Sequence, residues 1–103
     1  MSEPLPEHVI QIYQERLKNI HALITGIRTR GTFFSPNDRS LFIGEMHKLV
    51  GVAGYFQDLH IAVKGRELEI FFKTQSETTL TEETHQRLET FQSLLRQSHH
   101  FTL

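Results

Sequence analysis

The 103-residue chain predicts an all-α fold, an up-and-down antiparallel four-helix bundle. Three observations predict it. Apolar residues recur at spacings of three and four through most of the chain, which is the period of a helix face against a core. Capping and turn residues punctuate these stretches. The connections between them are short, and short connections favour antiparallel neighbours. A chain of this length holds one core, so a single domain over 1–103 is expected.

The first stretch follows Pro4 and Pro6, which suit a helix start because their missing N–H groups would be unpaired there. Val9, Tyr13, Leu17, Ile20, Ile24 and Ile27 then form one apolar stripe. Arg28 and Arg30 suit a helix C-terminus, and Gly31 is the stop. The second stretch opens on Ser35-Pro36-Asn37-Asp38: Ser35 as N-cap, Pro36 at the first helical position, Asp38 at the positive end of the dipole. Phe42, Met46, Leu49, Ala53 and Phe56 make its buried stripe. Gly51 and Gly54 weaken this helix by about 1 kcal/mol each relative to alanine.

The third stretch supports two readings. As a helix, Ile61, Gly65, Leu68 and Phe72 share a face. As strands, His60–Val63, a Lys64-Gly65 turn and Arg66–Phe72 make a β-hairpin with alternating polarity. Thr74 to Thr79 is a polar loop. The fourth stretch starts at Thr81 as N-cap with Glu82 and Glu83 behind it. Leu88, Phe91 and Leu95 form its stripe, and the chain is expected to fray from Ser98 onward.

Composition narrows the function. Apolar residues are 38% of the chain and charged residues 22%, the balance of an ordinary soluble globular domain. A formal net charge of -1 argues against nucleic acid as the main partner, because phosphate backbones select clustered Lys and Arg. The absence of cysteine rules out disulfides and thiolate metal sites and fits a reducing compartment. The N-terminal residues do not read as a signal peptide, and no run approaches the roughly 20 apolar residues of a membrane helix. A cytoplasmic protein with no membrane partner is expected.

His47 is the residue that carries chemistry. At about 100° per residue it lies about 200° from Leu49 and about 180° from Phe56, so its imidazole points away from the core. Ile43, Gly44, Val50, Gly51 and Gly54 share its side of the helix. Bare backbone beside an outward histidine lets another protein approach closely, and Ile43 and Val50, expected to be exposed, would add apolar contact. A solvated surface histidine is the plainer alternative. Other motifs are weaker. Seven histidines raise metal binding, but the best cluster, His85 with His99 and His100, lacks a HExxH or comparable spacing, and no metal site is expected. His60 and Lys64 read as exposed surface. Gly51-Val52-Ala53-Gly54 matches the GXXG loop of KH RNA-binding domains in letters only.

The segment His47-Lys48-Leu49-Val50-Gly51-Val52-Ala53-Gly54-Tyr55-Phe56 resembles the signature of histidine phosphotransfer (Hpt) domains: a histidine, a leucine two residues on, a glycine at the fourth position and small residues after it. Ile61, Gly65 and Leu68-Glu69 fall where that family has its next helix and a frequent Leu-Glu pair. Two positions depart from the pattern. Val50 stands where many members have a lysine thought to steady the phosphoryl group, and Gln57 stands where glycine is usual. The resemblance implies that His47 accepts a phosphoryl group from a receiver-domain aspartate and passes it to another receiver. It implies a partner surface of Ile43, Gly44, Lys48, Val50, Gly51 and Gly54. The partner would be the receiver domain of a response regulator or of a hybrid sensor kinase. The chain would be a carrier without catalytic activity or cofactor of its own, the Mg²⁺ belonging to the receiver. Lys48 points about 100° away from His47 and is a poor substitute for the missing lysine. The alternative is an Hpt-like module that is not phosphorylated and docks on a kinase or response regulator to inhibit or scaffold it.

Overall fold

The computed structural model describes residues 6–75 and 77–101. It contains four helices, α1 (Glu7–Arg30), α2 (Pro36–Tyr55), α3 (Leu59–Lys73) and α4 (Glu82–Gln97). Each helix packs on two neighbours in a ring, α1 on α2 and α4, α3 on α2 and α4, with no diagonal contact among the described residues. The result is the up-and-down antiparallel four-helix bundle, about twice as long as wide at 47 × 25 × 22 Å. Among the described residues, no helix is long and apolar enough to cross a membrane.

The punctuation acts as the local chemistry dictates. Gly31 ends α1 in the left-handed region, with φ 76°, where a Cβ would cost energy. Ser35 caps α2 by accepting the Asp38 N–H at 3.0 Å, with Pro36 at the first position. Thr81 caps α4 by accepting the Thr84 N–H at 3.1 Å. Pro6 stands at the N-cap of α1 and not inside its first turn; Pro4 lies outside the described residues.

The core takes Tyr13, Leu17, Ile20, Ile24 and Ile27 from α1, Phe42, Met46, Leu49 and Ala53 from α2, Ile61, Leu68 and Phe72 from α3, and Leu88, Phe91 and Leu95 from α4. Two members of the expected stripes, Val9 and Phe56, are half-buried. Phe56 falls just beyond the last turn of α2, where it stacks on Tyr13 with ring centroids 4.2 Å apart.

Residues 59–73 form a helix, so the hairpin reading fails. Ile61, Gly65, Leu68 and Phe72 are all buried, and only a helical period puts these four on one side. Gly65 is needed there: a Cβ on it would sit 2.8 Å from Val50 Cγ2.

The two ends of the bundle are tied differently. At one end the α1–α2 and α3–α4 connections pair through a bridge between Thr32 and Thr79, with Phe33 N–H donating to Thr78 O and Leu80 N–H to Gly31 O, both at 2.9 Å. At the other end Asp58 accepts from Tyr13 Oη at 2.5 Å and from Ser98 Oγ at 2.8 Å. Burial, then the hydrogen bond to Asp58 and its charge, push the Tyr13 hydroxyl pKa far above the ordinary tyrosine value. The expected fraying from Ser98 does not occur through Phe101. Asp58 anchors Ser98, and the His100 ring meets Tyr13 and Phe56 edge-on. These contacts come from elements distant in sequence, which a terminal position does not reveal.

Candidate functional site

His47 stands mid-way along α2 with its side chain 66% exposed. Its Nδ1 lies 2.8 Å from Oε1 of Glu69, a carboxylate on α3 that is only 3% exposed. Lys73, one turn further along α3, places Nζ 3.1 Å from the same oxygen. Burial pushes the Glu69 pKa up. The hydrogen bonds from Lys73 and His47, and then the charges of His47 and Lys73, outweigh it, and the net shift is downward. Glu69 is therefore an ionised carboxylate at neutral pH, and an ionised carboxylate can only accept. Nδ1 must carry the proton of that contact. In the neutral ring the lone pair is then on Nε2, at the other side of the imidazole. A buried carboxylate has fixed the tautomer and the orientation of an exposed imidazole.

The surface around the ring is bare. Gly44, Gly51 and Gly54 are exposed, and a Cβ built on any of them would meet nothing within 4 Å. They fall three residues before, four after and seven after His47, on the same helical face. Packing within the bundle gives no reason for glycine at these positions, in contrast to Gly31 and Gly65. Gly51 and Gly54 also lie within an unbroken helix, so the segment is not the loop that a KH domain needs.

Two expectations for this face need correction. Ile43 and Val50 are half-buried, because α3 packs on that flank of α2 and Val50 seats on Gly65. Besides Tyr55 of α2, 64% exposed, the exposed apolar surface here is carried by the neighbouring helix. Leu59, Val63 and Ile70 on α3 are 63%, 58% and 54% exposed and share its outward side, since their spacing brings them within one face. The signal was present in the sequence as apolar residues off the core stripe of α3. Lys48 turns away from His47 and pairs with Glu45 at 3.3 Å.

Gln57 has φ 64°, a left-handed conformation that glycine adopts without strain. It follows α2 in a Schellman turn: Asp58 N–H donates to Ala53 O at 2.9 Å and Gln57 N–H to Gly54 O at 3.1 Å. Glutamine in place of glycine here costs backbone strain of about 1 kcal/mol. Val50 leaves no lysine on α2 beside the ring, and the nearby cation is Lys73 of α3. Sequence spacing does not reveal Lys73, because its distance from His47 is set by how α3 lies on α2. His85 is in the first turn of α4 and His99 and His100 lie beyond its end, about 20 Å away along the helix, so these three do not form a cluster. His60 is exposed.

Comparison of the chain with family models, with curated proteins and with solved structures gives no match.

Proposed function

We propose that this chain is a phosphorelay carrier of the histidine phosphotransfer type, with His47 as the phosphoryl acceptor and receiver domains as its partners. The observation that carries the reading is the His47–Glu69 contact, which holds Nδ1 as a donor to a buried carboxylate and leaves Nε2 outward on a glycine-flanked face. The Nε2 lone pair forms the N–P bond while the P–O bond to the receiver aspartate breaks and the carboxylate leaves with its electrons. The Nδ1 proton stays in place. The ring becomes a phosphoimidazolium, and the Glu69 carboxylate offsets its positive charge. The second transfer reverses these bonds. Mg²⁺ and the receiver's own groups supply the remaining charge compensation, so this chain contributes a nucleophile and a landing surface.

Gly44, Gly51 and Gly54 let a partner backbone close on the ring. Leu59, Val63 and Ile70 offer apolar contact area beside it. The interface of such a transient pair falls at the small end, roughly 1,000 Å² in total.

The test is label transfer from phosphorylated receiver domains of the same organism. The expected result is acid-labile label on the wild-type chain and none on His47→Gln. Stable binding to a receiver without label on His47 would overturn the carrier reading in favour of a docking module that is not phosphorylated.

A further inference from the structure

We infer that Lys73 is the phosphoryl-steadying cation of this site, released from Glu69 to the phosphoryl group when His47 is modified. The inference rests on the reading of His47 as a phosphoryl acceptor. Lys73 Nζ and His47 Nδ1 share one oxygen, Glu69 Oε1, at 3.1 and 2.8 Å, so the ammonium lies within two hydrogen-bond lengths of the ring. It is 58% exposed, on a flexible four-carbon stem free to turn outward. Neither of the other lysines on α2 and α3 touches Glu69, and Arg66 is the remaining cation of α3. Val50 is apolar and packs on Gly65. Lys48 is held by Glu45. Lys64 is held by Glu67 at 3.1 Å, on the flank of α3 that faces α4.

The arrangement also accounts for the charge around the carboxylate. Glu69 Oε2 is buried and without a partner, while Oε1 carries two donors. A phosphohistidine adds up to two negative charges on the Nε2 side and a positive charge on the ring. The ring then offsets Glu69 more strongly than before, and Lys73 is drawn from a shared carboxylate oxygen toward an exposed dianion. The cation that many Hpt domains carry on the same helix as the histidine is delivered here from the next helix.

The experiment uses the whole chain and a small-molecule donor, so it needs no partner. Phosphoramidate transfers its phosphoryl group to imidazole nitrogen and releases ammonia, and the His47 signal is assigned by its loss in His47→Gln. The phosphoryl resonance is titrated by ³¹P NMR in wild type, Lys73→Met, Lys73→Gln and Lys73→Arg. A cation about 4 Å from the phosphoryl group favours the dianion. The titration midpoint should therefore rise by about half a pH unit or more in Lys73→Met and Lys73→Gln, and stay within about 0.2 unit in Lys73→Arg. Lys64→Met removes the same charge from the far flank and should not move it. Circular dichroism checks that each variant keeps its helices, and the two neutral variants guard against one failing to fold. Equal midpoints in wild type and both neutral variants would overturn the inference, as would an equal rise in Lys64→Met. The carrier reading fails separately: label from phosphoramidate with the Lys73 dependence, but no transfer from any receiver, leaves the role of Lys73 standing and removes the relay. A His47 that phosphoramidate does not label overturns both.

Discussion

Glu69 and Gln92 are each 3% exposed, on neighbouring helices, and the bundle uses them in opposite ways. Gln92 sits in the α1–α4 seam with its amide fully engaged. Its Nε2 donates to His21 O at 3.1 Å and to Thr25 Oγ1 at 2.8 Å, and its Oε1 accepts from Arg28 Nη1 at 2.8 Å. All three partners belong to α1, so one side chain locks two helices. Glu69 sits in the α2–α3 seam with one oxygen doubly used and the other, buried, without a partner. Its partners are an exposed histidine and an exposed lysine. A buried amide with every group paired is structural. A buried carboxylate with one oxygen unpartnered and the other held by two exposed side chains is less fully satisfied. Packing also separates the glycine inside the α2–α3 seam from those on the surface of α2. Gly65 is glycine because α2 presses on it, whereas Gly44, Gly51 and Gly54 face open space.

The largest expected break in this comparison is Gln92→Leu. It removes the Gln92 partner of Arg28 Nη1, His21 O and Thr25 Oγ1 in a part-buried seam, at a cost of about 2 kcal/mol. Urea unfolding should show it as a lower midpoint at unchanged slope, with the proposed transfer to His47 retained.

Glu69→Gln is the matching change in the other seam, and its effect depends on pH. The folded-state pKa of Glu69 is lowered, so ionised Glu69 adds stability above the unfolded carboxylate pKa, near 4.3, and that contribution is lost as pH falls through the folded value. Wild type should exceed Glu69→Gln by about 1 kcal/mol at pH 7, and the gap should narrow as pH falls below the unfolded value. Unfolding curves at pH 7 and pH 3.5 check the sign; a gap that widens in acid would contradict it. The smallest effect is a gain. Gln57→Gly removes left-handed strain and should stabilise the chain by up to about 1 kcal/mol, read as a higher urea midpoint, with no change in transfer.

Much of the fold is legible residue by residue. The stripe from Tyr13 to Ile27, the Ser35 and Thr81 caps and the Gly31 stop are local chemistry, and each operates as its residue type dictates. Residues 59–73 are less so. A stretch of this length with Leu68, Ile70 and Phe72 fits a strand alternation as well as a helix, and the choice falls to the helix because α2 and α4 close over Ile61, Gly65, Leu68 and Phe72 together. Position at the end of the chain gave the wrong expectation for Ser98 to Phe101, whose partners Tyr13, Phe56 and Asp58 come from other elements.

For the candidate site, the sequence by itself determined that His47 faces outward. A helical period through Phe42, Met46, Leu49 and Ala53 turns His47 outward, and it places Gly44, Gly51 and Gly54 on the same face. Only the tertiary structure decided what surrounds it. Periodicity gives the angle of a side chain about its own helix but not the rotation and height of the next helix. That is why Val50 and Ile43 were expected in solvent and are half-covered by α3. It is also why Glu69, recognisable only as one half of a Leu-Glu pair, and Lys73, not recognisable at all, become the buried anchor and the neighbouring cation of His47.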